Sequence, residues 1–280
     1  MAHLSPLLYF LVLFAIAIVA GTFGAMLGLG GGVFIVPLLT VPFGLDIHYA
    51  VGASIVSVIA TSSGSAARYV RDRMTNLRLG MLLEVATTIG AVTGALVSSL
   101  LPVAVLFLVF GAVLLYAAVS MLKPLAGGTV TAAPQHHWFP VAGSYYDPAA
   151  ARTVQYEVRA LPVGFVLSSV AGGISGLLGV GGGVLKVPVM DLVMGVPIKA
   201  AAATSSFMVG VTAAASAAVY FARGDINPFI AAPVAMGVLV GTRGGTWLAR
   251  QLPGATVRRI FAIVLLALAS QMLLKGVRGG

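Results

Sequence analysis

GLGGGVFIVP, residues 28–37, closes a long uncharged, mostly apolar run, and GVGGGVLKVP, residues 179–188, does so again in the second half of the chain. Each glycine in a helix interior costs about 1 kcal/mol relative to alanine, and proline removes a backbone donor nearby. A helix is therefore broken twice, in nearly the same ten letters. Three uses fit such a break: a phosphate-cradling loop, a close helix contact, or a binding site where a membrane helix is interrupted.

Composition decides where the breaks lie. Of 280 residues, 59% are hydrophobic and only 8% charged, against about 25% charged in a soluble domain. Runs 7–27, 48–67, 160–185 and 200–222 contain no Asp, Glu, Lys or Arg, and 79–100, 103–122, 226–249 and 255–274 are further candidates. Each approaches or exceeds the roughly 20 residues that cross about 30 Å of hydrocarbon. The expectation is an all-α polytopic membrane protein with about eight long spans, up to ten counting short segments. MAHLSP carries no Lys or Arg ahead of its apolar run, so no cleaved signal is expected. With no Cys there is no disulfide or thiol chemistry. The net charge of +9 falls mainly beside the spans, which suits membrane topology rather than nucleic acid.

The chain is written twice. A shift of 151 positions (181 − 30) lays Gly28, Gly30, Gly31, Gly32, Val33, Val36 and Pro37 on Gly179, Gly181, Gly182, Gly183, Val184, Val187 and Pro188. The same shift pairs Ser54 with Ser205, Thr61 with Thr212, Ser65 with Ser216, Tyr69 with Tyr220, Asn76 with Asn227, Gly90 with Gly241 and Gly94 with Gly245. The halves are residues 1–123 and 159–280, joined by a polar linker, 124–158, expected as an exposed cytoplasmic loop. His136, His137 and Trp138 in it lack further nearby metal ligands, and no cofactor or metal is expected.

Basic residues suggest that the halves are inverted. Arg68, Arg71, Arg73 and Arg78 mark one cytoplasmic loop, joined by Lys123, Arg152 and Arg159 of the central segment. In the second half the matching loop holds only Arg223 against Asp225, while the next turn carries Arg250, Arg258 and Arg259. The bias has changed sides, as inverted repeats require. Inversion needs an odd number of crossings per half, supplied by the short pieces 33–43 and 184–194. Each half is then an interrupted, glycine-broken hairpin plus three spans. Parallel repeats with an even count stay open, because 11 residues are too few to cross alone.

The motif lacks the last glycine of G-x-G-x-x-G and the G-K-[ST] of a phosphate loop, and it follows a membrane-length helix rather than a strand. Close packing needs small residues but not three glycines in a row. Unwound backbone inside a membrane lines a cavity or is buried by protein, and broken helices offer free N–H groups to anions. A matched pair of breaks in two halves points to a transport site, with Gly30, Gly31, Gly32, Gly181, Gly182 and Gly183 as backbone donors.

G-x-G-G-G-x-x-x-V-P near the start of two hydrophobic halves, with a variable polar joint, resembles the sulfite exporter TauE/SafE family over nearly the whole chain. The resemblance implies a multi-pass transporter of the cell inner (cytoplasmic) membrane, exporting small sulfur-containing anions such as sulfite or organosulfonates. The partners expected are that anion and the lipid bilayer; nucleic acid is not among them, and a homodimer stays open.

Charges inside spans single out candidates. Lys186 stands in the second motif where the first has Ile35, and Arg243 lies between Gly241 and Gly244. Either cation suits a desolvated anion, and either also suits reaching to the interface. Glu84, the one acid in its span, fits a proton acceptor for coupling, a partner for Arg243, or a structural ion pair. Ser54, Ser57, Thr61 and Ser65 share one helix face, and Ser205, Thr212 and Ser216 repeat it beside Thr204 and Ser206. Ser54, Thr61, Ser205 and Thr212 are candidate anion donors as well as candidate helix contacts. Asn76 and Asn227 suit caps or ligands. Two functions compete, a secondary transporter working by alternating access and a passive anion channel. An enzyme is not expected, since the spans hold no His cluster, acid pair or Cys.

Overall fold

A computed structural model describes residues 5–27, 29–122, 141–147, 151–251 and 254–278. The first half forms α1 (Pro6–Leu27), α2 (Gly32–Thr40), α3 (Ile47–Arg71), α4 (Leu77–Ser98) and α5 (Val103–Leu122). A hairpin of β1 (Ala142–Asp147) and β2 (Arg152–Glu157) follows. The second half forms α6 (Leu161–Leu178), α7 (Gly183–Pro188) with a π-turn over Val189–Val193, α8 (Ile198–Ala222), α9 (Pro228–Gln251) and α10 (Gly254–Val277). Seven of the described helices are long and apolar enough to cross a membrane, while the described apolar part of α10, Ala262–Val277, is shorter. The body is thus an all-α polytopic membrane protein.

Local sequence sets the boundaries. The Asp46 side chain accepts from the His48 N–H at the start of α3, and Asn76 accepts from the Leu79 N–H at the start of α4. Asn227 likewise accepts from the Phe229 N–H, so both asparagines act as caps. The uncharged run 160–185 is not one helix, because Gly179 takes φ 68° and ends α6. A left-handed turn of this kind is open to glycine at little cost.

The halves interlock by exchanging elements. α1 packs on α9 and its repeat counterpart α6 packs on α4, while α3 meets α8 and α5 meets α10. Glycines set how closely they approach. A Cβ on Gly90 or Gly94 would strike the backbone of Ser169 or Gly173, and one on Gly172 or Gly176 the backbone of Thr87 or Ala91. The register of α4 and α6 advances together, so the two run the same way. Gly237, Gly241 and Gly245 of α9 advance in the same manner along Phe14, Ile18 and Thr22 of α1. α5 and α10 run oppositely, since Gly111 meets Leu273 and Gly276 meets Leu108. Backbone contact through small residues gives dispersion and packing without needing water to drive it.

The linker differs from a plain loop. Its described part is the antiparallel hairpin, in which Tyr145 pairs with Val154 and Asp147 with Arg152. The hairpin is moored to the helix ends: Asn76 Nδ2 donates to the Tyr156 hydroxyl at 3.4 Å, and Lys199 Nζ donates to Asp147 Oδ1 at 2.7 Å. Burial, and after it the neighbouring Asp147, pushes the Tyr145 phenol up to about 12, which keeps it a neutral ring in the hairpin. His136, His137 and Trp138 lie outside the described residues.

Candidate functional site

After α1 the chain doubles back. Gly30 and Gly31 take φ 79° and 73°, and Gly181 and Gly182 take φ 73° and 76°. A side chain is strained in this region by roughly 1–2 kcal/mol. The third glycine of each motif serves otherwise. Gly32 opens α2 with no positive φ, and a Cβ there would lie 2.6 Å from both Ser54 Oγ and Val58 Cγ2. Gly183 opens α7 and is buried.

The two breaks meet. A Cβ on Gly30 would lie 2.7 Å from Val209 Cγ1 and 3.0 Å from Val58 Cγ1, and Gly181 presses on the same two valines. Val58 and Val209 are repeat counterparts (209 − 58 = 151). Ser54 Oγ donates to the Gly179 carbonyl at 2.7 Å, tying one half to the break of the other. Thr61 is fully buried, and a Cβ on Gly31 would lie 3.2 Å from its Oγ1. Ser205 is also buried. Tyr69 donates to the Ala25 carbonyl at 3.1 Å, and Tyr220 donates to the Gly176 carbonyl at 2.8 Å. Each tyrosine thus satisfies an orphan carbonyl near the end of the broken helix in its own half. The sequence marked this pair only as a match across the repeats.

Beside the second break sits the polar centre. Lys186, on α7, is 1% exposed, and Glu84, on α4, is 7% exposed; they are the buried charged side chains among the described residues. Lys186 Nζ lies 3.6 Å from Glu84 Oε2 and donates to Thr212 Oγ1 at 2.6 Å. Thr212 Oγ1 in turn donates to Glu84 Oε1 at 2.6 Å. Thr87 donates to Glu84 Oε2 at 2.9 Å and Thr88 to Oε1 at 3.2 Å. Gly182 makes room for the lysine stem, since a Cβ there would lie 3.2 Å from Lys186 Cε. A buried charge is tolerated when paired and hydrogen-bonded, and both conditions are met here. Thr87 and Thr88 were not singled out from the sequence, although they stand three and four positions beyond Glu84 on one helix face.

Among the described residues this pair is not repeated at the positions related to it by the duplication. Ile35 and Ala235 occupy the positions equivalent to Lys186 and Glu84 (186 − 151 = 35; 84 + 151 = 235). The polar cluster is built between the two halves, from α4, α7 and α8.

Arg243 is not brought to this cluster. It is exposed on α9, on the side where Leu239, Val240 and Trp247 are also exposed. Gly241 and Gly245 press on α1, and a residue two places along a helix is turned by roughly 200°. Those glycines fix which face is buried and turn Arg243 outward. The partner of Glu84 is Lys186, not Arg243.

These features define a multi-pass helical membrane protein with a charged pair buried beside the second of its two glycine breaks. The model of the family described as sulfite exporter TauE/SafE matches residues 13–272, and the chain belongs to that family. Among curated proteins it is similar to the probable membrane transporter protein YunE of Bacillus subtilis, 27% identical over 96% of this chain and 98% of the relative. It is also similar to the probable membrane transporter protein YdhB of the same organism, 22% identical over 90% of this chain and 94% of the relative. The probable membrane transporter protein MJ0441 of Methanocaldococcus jannaschii is 26% identical over 72% of this chain and 68% of the relative. No solved structure matches this chain.

Proposed function

We propose that the protein is a secondary transporter that exports small sulfur-containing anions, such as sulfite or organosulfonates, by alternating access around the two glycine breaks. The observation that carries it is Lys186, a cation 1% exposed whose stem folds over Gly182 of the second break. A sulfonate or sulfite stripped of water needs such a cation and hydroxyl groups beside it, and the Thr212 hydroxyl lies against Lys186 Nζ at 2.6 Å. The sulfur oxyanion class and the direction of export are taken from the family's description as sulfite exporter.

The two halves sit in the membrane in opposite senses. Supporting this, α1 and α9 run together, α4 and α6 run together, and α5 and α10 run oppositely, as a repeat turned upside down would give. The hairpin end is cytoplasmic. It is the end that carries Arg68, Arg71, Arg73 and Arg78 of the α3–α4 loop, which the hairpin reaches through Asn76, and the positive-inside bias favours it.

Thermal stabilisation of the detergent-purified protein against sulfite, sulfate, thiosulfate, sulfoacetate, taurine and chloride tests the reading. A ligand at 100 times its Kd stabilises by about 2.7 kcal/mol. The expected result is a shift selective for sulfur oxyanions and lost in Lys186→Met. No shift with any of them, or a shift unaffected by Lys186→Met, would overturn it.

A further inference from the structure

Lys186 is a cation already neutralised. Its ammonium faces the Glu84 carboxylate at 3.6 Å, so the buried centre carries no net charge. An anion drawn to Lys186 while Glu84 stays ionised would leave one negative charge uncompensated away from water, which is strongly unfavourable. A proton on Glu84 removes the conflict.

Resting on the anion reading above, we infer that Glu84 is the internal counter-ion of the empty site, and that it takes up one proton as Lys186 passes from its carboxylate to a monovalent anion. The step balances in charge: carboxylate plus proton gives the carboxylic acid, and the ammonium exchanges one anionic partner for another. Nothing is oxidised or reduced. Thr212 links the two events. Its hydroxyl accepts from Lys186 at 2.6 Å and donates to Glu84 Oε1 at 2.6 Å. A protonated Glu84 becomes a donor to that oxygen, and the rotatable hydroxyl hydrogen of Thr212 turns to the anion.

The surroundings leave few other groups to take the proton. From α7 the group facing Glu84 is Lys186, and from α8 it is Thr212. α6, packed along α4, has no titratable residue in its sequence. On α8, Lys199 is held by Asp147 and Tyr220 by the Gly176 carbonyl. On α4 itself, Arg78 is exposed at the helix start. Ile35 and Ala235 in the matching places of the other half confine the coupling to one site per chain.

Calorimetric titration of the full-length protein with methanesulfonate, whose charge stays constant over the pH range used, decides the point in two buffers of different ionisation heat. The expected result is uptake of about one proton per anion at neutral pH, with affinity rising up to about tenfold for each unit of acidification. Glu84→Gln is expected to bind with no proton uptake and no pH dependence. Wild-type binding without proton uptake would overturn the inference while leaving the anion site standing. Unchanged proton uptake in Glu84→Gln would overturn the assignment to this residue. No binding at any pH would overturn both the inference and the anion reading. Should Glu84→Gln fail to fold, the wild-type proton count decides alone.

Discussion

Replacing Lys186 by Met removes the charge and keeps most of the length of a side chain that is 1% exposed. Glu84 would remain in place with hydroxyl donors from Thr212 at 2.6 Å, Thr87 at 2.9 Å and Thr88 at 3.2 Å. Removing one partner of a buried pair costs about 3–5 kcal/mol, because the other charge is stranded. The three hydroxyls offset part of that, since a hydrogen bond to a charged group contributes about 1.5–3 kcal/mol. Lys186→Met is therefore expected to lose about 3 kcal/mol. Glu84→Gln/Lys186→Met strands nothing and is expected to lie within about 1 kcal/mol of wild type, so the two changes are far from additive. Equilibrium unfolding of the four proteins of this cycle in mixed micelles measures both quantities. A Lys186→Met protein within about 0.5 kcal/mol of wild type, or additive costs around the cycle, would refute the buried-pair account.

Three further outcomes follow from the packing. Gly94→Ala drives a Cβ into the Gly173 carbonyl and is expected to cost about 1–3 kcal/mol, whereas Gly173→Ala, with nothing nearer than 3.7 Å, stays within about 0.5 kcal/mol; thermal unfolding in detergent compares them. Tyr220→Phe strips its bond to the Gly176 carbonyl at 2.8 Å and is expected to lose about 1–2 kcal/mol in the same assay. Lys199→Ala breaks the Asp147 pair, 22% and 13% exposed, at a cost of about 1 kcal/mol or less. It is expected to loosen the hairpin, read as faster proteolysis between Ala142 and Glu157 with the helical body intact.

Much of this architecture is legible in the letters because a membrane leaves so few options. Backbone groups in hydrocarbon must bond within their own helix, so spans show as long uncharged runs, and small residues kept in register reveal the duplication. The glycine breaks are legible for the same reason, since only an unusual backbone calls for GLGGG and GVGGG. What the letters conceal is rotation and pairing. Glu84 and Lys186 are 102 positions apart (186 − 84), and nothing local says that α4 and α7 meet. Arg243 drew attention as a rare intramembrane charge, yet the spacing of Gly241 and Gly245 already turns it away from α1. The hairpin was hidden because its strands, AGSYYD and RTVQYE, are short and polar, with only Tyr, Thr and Val to favour extension.

Flux of radiolabelled sulfite through proteoliposomes tests the central claim most directly, with wild type, Lys186→Met and protein-free vesicles compared. The account predicts wild-type flux well above protein-free vesicles and accelerated by unlabelled sulfite on the opposite side, with Lys186→Met reduced to the protein-free level. Wild-type flux no greater than that of protein-free vesicles, or undiminished flux through Lys186→Met, would contradict it.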